Sequence, residues 1–119
     1  SGSNLDIDGN GRFDALTDGL LVLRSMFGLT GAPLISGVVA ADAVYTDAED
    51  IQSRITGLGN LLDIDNNGNV DALTDGLVIL RYLFGLRDDV LINGVIASDA
   101  TVTTADDVGA KIESLKPSL

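Results

Sequence analysis

Apolar residues recur at helical spacing in two separate stretches, Leu16, Leu20, Leu23, Phe27 and Leu73, Leu77, Leu80, Phe84, which predicts two amphipathic helices with one apolar stripe each. Val22, Met26, Ile79 and Leu83 widen those stripes. Gly28-Leu29 and Gly85-Leu86 predict the stops, with glycine in the left-handed cap and leucine folding back on the last turn. A short second helix is expected over 34–40 and again over 91–97, with Pro33 suited to a first helical position. A third is expected from Thr46-Asp47-Ala48-Glu49, read as a capping box that turns Ile51, Ile55 and Leu58 inward. Its counterpart begins at Thr103 and presents Val108, Ile112 and Leu115. No stretch sustains strict alternation between turn signals, so the fold class is all-α with little or no sheet.

The pattern repeats because the sequence does. LDIDGNGRFDALTDGLLVLRSMFGL (5–29) and LDIDNNGNVDALTDGLVILRYLFGL (62–86) align without a gap at an offset of 57. The register continues through Leu34/Leu91, Ile35/Ile92, Gly37/Gly94, Val38/Val95, Asp42/Asp99 and Ile55/Ile112. With 119 residues and 45% hydrophobic content the chain can bury a core, so one domain over 1–119 is expected rather than a disordered segment. Its first repeat covers about 5–58 and its second about 62–115, each a loop plus helix followed by two shorter helices. Two copies are too few for a solenoid, and packing about a pseudo-twofold axis is the expectation.

Charge changes the picture through its placement. The net charge is -11, yet Asp6, Asp8, Asp14, Asp18, Asp63, Asp65, Asp71 and Asp75 all fall within the two repeated segments. Without them ten acids face seven bases, a net of -3. Each segment opens Asp-x-Asp-x-Asn-Gly-x-x-Asp, the alternate-position oxygen spacing with which a tight loop surrounds calcium. Counting Asp6 as the first position, the ligands are Asp6, Asp8, Asn10, the backbone carbonyl of Arg12, and Asp14 directly or through water. In the second loop these are Asp63, Asp65, Asn67, the carbonyl of Asn69, and Asp71. Gly11 and Gly68 take the sharp turn, while Ile7, Phe13, Ile64 and Val70 point to the core.

An EF-hand loop closes with a bidentate acid at position 12, where this chain has Thr17 and Thr74; Asp18 and Asp75 follow at position 13. Closure is assigned to Asp18 and Asp75, with Thr17 and Thr74 as local caps the other option. Two bound calcium ions would take the net charge from -11 to -7. The opposing explanation is that Asp, Asn and Gly cluster here only to form turns. Two copies with the same ninth-position acid and following helix argue against it, as does the mutual repulsion of four carboxylates per loop without a cation.

Two tandem DxDxNGxxD loops, each leading into a Leu-rich helix with an arginine near its end (Arg24, Arg81), resemble a dockerin over about 25 residues per repeat. Dockerins are calcium-binding modules of secreted bacterial proteins, and the resemblance implies an extracellular or cell-surface setting and a cohesin-like or other cell-surface protein partner. The chain departs from that pattern in the longer segments after each helix, in the extra loop residue, and in having Ala15-Leu16 and Ala72-Leu73 where dockerins carry a hydroxyl pair.

Other chemistries find little footing. The absence of histidine excludes His-based acid-base catalysis, His-containing triads and His-bound zinc, and the absence of cysteine excludes disulfides and thiolate sites. Aspartates at ligand spacing ahead of helices point to metal rather than to a glycosidase pair. The bases are scattered and no phosphate loop follows a strand pattern, so neither nucleic acid nor nucleotide is an expected partner. Apolar runs such as Leu20-Leu21-Val22-Leu23 are far too short for membrane insertion. The Ser1-Gly2-Ser3 start reads as an appended remnant, which would leave any export signal upstream. Arg24 and Arg81 are expected at a helix dipole or an acid, or else on a partner, and Tyr82 is a second candidate contact. Asp42 and Asp99 are read as turn formers within reach of a site. The expected function is a non-catalytic, calcium-dependent attachment module; the alternative is a calcium-rigidified spacer or terminal cap.

Overall fold

The computed structural model describes residues 4–116, so the reading of Ser1-Gly2-Ser3 lies outside the described residues. Among those residues every regular element is helical. The elements are α1 Leu20–Met26, α2 Ala32–Ile35, α3 Ala48–Leu58, α4 Leu77–Leu83, α5 Asp89–Ile92 and α6 Ala105–Glu113. A single π-turn, Ala15–Gly19 or Ala72–Gly76, precedes α1 and α4, and a 3-10 turn, Gly59–Leu62, joins the halves. Elements of the second half thus recur 57 positions after those of the first, as the duplicated sequence requires.

The helix stops form as the glycines predict. Leu29 N–H donates to Arg24 O at 3.0 Å and Gly28 N–H to Ser25 O at 2.9 Å, with the same pair at Leu86 and Gly85. These are the two bonds of a Schellman cap. The second helices are shorter and earlier than the expected 34–40 and 91–97, because the backbone turns at Ser36-Gly37 and Asn93-Gly94, where both glycines have positive φ. The capping box is also absent: the N-cap of α3 is Asp47, whose side chain makes no capping bond. In α6 the N-cap is Thr104, which accepts from Asp107 N–H at 3.2 Å. Arg24 and Arg81 lie in the last turns of α1 and α4, as the dipole reading expects, and among the described residues neither pairs with an acid. Their guanidinium groups gather the last carbonyls of α2 and α5, at 2.8 Å to Ser36 O and Asn93 O.

One apolar cluster draws on both halves, from Leu5, Ile7, Leu21, Val22, Leu34 and Ile51 to Ile64, Val78, Ile79, Leu91, Val108 and Ile112. The inward residues of α3 and α6 are buried as predicted. The apolar stripe is buried only in part. Leu21, Val22, Val78 and Ile79 are fully enclosed, whereas Leu16, Phe27, Leu73 and Phe84 stand exposed and Leu20, Leu23, Leu77 and Leu80 are half-buried. The predicted stripe faces the other repeat rather than its own, and a helix–helix seam covers only its middle. Val70 also differs from expectation, being exposed, while Phe13 packs against the core.

The seam is reciprocal. α1 packs on the π-turn before α4 and α4 on the π-turn before α1. A Cβ on Gly19 would stand 2.9 Å from Leu80 Cδ1, and one on Gly76 would stand 2.7 Å from Leu23 Cδ1. Each contact thus has its counterpart on exchange of the halves. Glycine is needed here for close approach: Gly76→Val would push α1 away and is expected to lower stability by about 1–3 kcal/mol. Urea denaturation checks this, and an unchanged midpoint would mean the seam can open without cost.

Candidate metal centre

The sequence brings oxygen atoms to two points. Asp6, Asp8 and Asp18 place carboxylate oxygens within 4.8 Å of one another, and Asp63, Asp65 and Asp75 do the same. Each group joins the start of a loop to the helix that follows it, and the π-turn makes that closure possible. Gly19 N–H and Gly76 N–H donate five residues back, to Asp14 O and Asp71 O, both at 3.1 Å. A π-turn takes one more residue than an α-turn. The extra residue between the ninth and last positions is absorbed there, and Asp18 and Asp75, not Thr17 and Thr74, face the loops. The two threonines make no side-chain cap; among the described residues their buried Oγ1 atoms meet no partner.

Backbone amides hold the carboxylates in place. Asp18 Oδ1 accepts from Ile7 N–H at 2.7 Å and Asp8 N–H at 3.3 Å, and its Oδ2 accepts from Asp14 N–H at 3.0 Å. Asp75 is held the same way by Ile64, Asp65 and Asp71. Asp6 accepts from Asn10 and Gly11, and Asp63 from Asn67 and Gly68. The turn itself needs Gly11 and Gly68, whose φ values are +84° and +89°. Asp8 and Asp65 are the deepest of the beginning pairs, at 0% and 1% exposure. Their Oδ2 atoms accept from Ala40 N–H and Ala97 N–H, but among the described residues no donor reaches Asp8 Oδ1 or Asp65 Oδ1. A buried carboxylate oxygen without a donor is costly, and a cation at the shared point would satisfy it.

Electrostatics agree with the geometry. Two ionised carboxylates 4.8 Å apart repel by about 3 kcal/mol at an effective dielectric of about 20. Burial pushes the Asp18 carboxyl up to about 7; the Asp14 amide opposes the shift and the Asp8 charge adds to it. Burial likewise pushes Asp75 up to about 6, opposed by the Asp71 amide and reinforced by Asp65. A proton or a cation could therefore relieve the charge of each cluster. All the donors are hard oxygens, which suits a metal such as magnesium, calcium or manganese.

The remaining predicted ligands lie around this nucleus. Asn10 Oδ1 and Asn67 Oδ1 accept from the amides of Arg12 and Asn69 at 3.0 Å, and their Nδ2 groups donate to Asp42 and Asp99. Asp14 and Asp71 fall outside the clusters; Asp14 Oδ2 lies 3.5 Å from Arg12 Nε. Arg12 also makes a two-pronged contact with Asp42, at 2.9 and 3.0 Å, which holds the Asp42 carboxyl below the usual carboxylate range. Asp42 and Asp99 thus reach the rim of the loops, beyond a turn-forming role.

Sequence reasoning missed what buttresses each loop. The segments after α2 and α5 fold back so that Val44 and Tyr45 donate to Asp8 O, and Thr101 and Val102 to Asp65 O. From α3, Arg54 donates to Ile7 O and Asp6 O, both at 2.8 Å, and from α6 Lys111 Nζ donates to Asp63 O at 2.7 Å. Arg54 and Lys111 are 57 positions apart and both cationic, a signal present in the repeat alignment.

No family model, curated protein or solved structure matches this chain.

In chelator, stability is expected to fall as pH rises. The folded chain keeps a proton on Asp18 and Asp75 where the unfolded chain, with carboxyls near about 4, has released it. Their contribution is complete below about pH 4 and is lost as pH climbs through about 6 and about 7. The metal-free melting midpoint at pH 5 should exceed that at pH 8, and a midpoint rising over that range contradicts the burial of these groups. Separately, Arg54→Met removes two charge-assisted bonds to loop carbonyls and should cost about 1–3 kcal/mol in urea unfolding.

Proposed function

We propose that each acidic loop holds one calcium ion, and that the chain is a non-catalytic, dockerin-like, calcium-dependent attachment module of an exported protein. The observation that carries the metal reading is the buried Oδ1 of Asp8 and of Asp65, each inside a carboxylate cluster and without a donor among the described residues. Calcium suits the loops better than magnesium does. Carboxylates, an asparagine amide oxygen and a backbone carbonyl offer more oxygens than the strict octahedron of magnesium uses, in a loop rather than a rigid cage. An ion there would link Asp6 and Asp8 of the loop to Asp18 of the helix turn, so binding and folding become one equilibrium.

Attachment, rather than a spacer, is supported by the apolar side chains that the fold leaves outside. Leu16 and Phe84 are 61% and 54% exposed and line one groove with Thr17 and Leu83, beside the first loop. Leu73 and Phe27, their equivalents in the other half, are 63% and 57% exposed. A groove edged by exposed apolar side chains supports a contact site, and a spacer need not have one. In this reading the clustered aspartates of both loops serve the ion, in keeping with a module that does no catalysis. An extracellular setting fits as well, since calcium there is abundant enough to keep such loops filled.

Titrating calcium into chelator-treated protein, followed by helicity and melting, should give a stoichiometry of two and a gain of about 2.7 kcal/mol per site at a hundredfold excess over Kd. Asp8→Asn with Asp65→Asn should remove most of that gain. No stabilisation at two equivalents would refute the metal reading. For attachment, a partner captured from the exported fraction should depend on calcium and be lost in Leu16→Ser/Phe84→Ser; calcium binding without any calcium-dependent partner favours the spacer.

A further inference from the structure

The two loops are near copies, yet their seventh positions differ in charge: Arg12 in the first, Asn69 in the second. Arg12 sits on the rim of its cluster, two-pronged on Asp42 and 3.5 Å from Asp14, the ninth-position acid. Asn69 presents no charge, and among the described residues no ion pair engages Asp71 or Asp99. Counting the rim acid with each loop, the first gathers Asp6, Asp8, Asp14, Asp18, Asp42 and one arginine, a net of -4. The second gathers Asp63, Asp65, Asp71, Asp75 and Asp99 with no compensating base in the loop, a net of -5. The supporting cations do not cancel this difference, because Arg54 and Lys111 contribute one positive charge each.

We infer that the two sites are unequal and fill in order, the second loop (63–75) before the first (6–18), with Arg12 as the residue that weakens the first. This rests on the calcium reading above. Two effects act in the same direction. An ion entering the first loop must draw Asp14 away from a guanidinium and meets a fixed positive charge at the rim, whereas Asp71 is free of any such pair. In the metal-free state, moreover, Arg12 already offsets part of the carboxylate repulsion that calcium would otherwise relieve. Ligand charge is a main determinant of affinity in loops of this type. Because Arg12 is more than half exposed, the effect is modest, a two- to fivefold difference of the kind exposed pairs give, about that range.

The amides of Gly11 and Gly68 each donate to the first carboxylate of their own loop, at 2.8 and 2.9 Å, so each amide resonance reports one site. Calcium titration by NMR should shift Gly68 before Gly11 in the natural chain. Arg12→Asn should tighten the first site and bring the two curves together, with Arg12→Gln giving the same result at nearly natural side-chain length. Asn69→Arg should weaken the second site and leave the first unchanged. Coincident curves in the natural chain, or an Arg12→Asn variant that leaves the first site unchanged or weaker, overturn the ordering while leaving the calcium reading intact. If neither glycine moves, both fail.

Discussion

Three carboxylates brought to one point, with a buried oxygen that no donor among the described residues reaches, form the constraint on which the rest of this structure depends. Amides can hold Asp18 and Asp6 in place, but they do not cancel the charge at the centre. The cluster has two ways to relieve that charge, a proton or a cation. The upward pull on Asp18 and Asp75 is the proton route, and the donorless oxygens of Asp8 and Asp65 mark the cation route.

The helices can be understood as the frame that holds these points. The π-turn swings the closing aspartate back onto the loop, and the same turn carries the glycine that lets the two halves approach closely. Burial of Leu21, Val22, Val78 and Ile79 anchors that turn from below. From the other side, the folded-back segments and Arg54 or Lys111 hold the loop carbonyls. A single turn of helix thus joins each loop to the seam.

Much of this was legible in the sequence, because duplication repeats each local signal. The loop aspartates, the Schellman stops and the inward faces of α3 and α6 follow from spacing alone, since they depend on near neighbours. What was not legible depends on distant ones. Helical periodicity put Leu16 and Phe27 on an apolar stripe, but whether such a stripe meets its own core, the other repeat or solvent is a tertiary matter. The capping box at Thr46 failed because Asp47 took the cap. The π-turn could be anticipated only as one residue too many, and the roles of Arg24, Arg54 and Lys111 involve carbonyls 9 to 48 positions away.

Anomalous diffraction from crystals grown with calcium would examine the central constraint most directly. Two scattering peaks are the predicted result, one about 2.3–2.6 Å from Asp8 Oδ1 with Asp18 in its coordination shell and the other at the same distance from Asp65 Oδ1 with Asp75 in its shell. Crystals in which those two oxygens meet no ion while Asp18 and Asp75 turn toward solvent would contradict it.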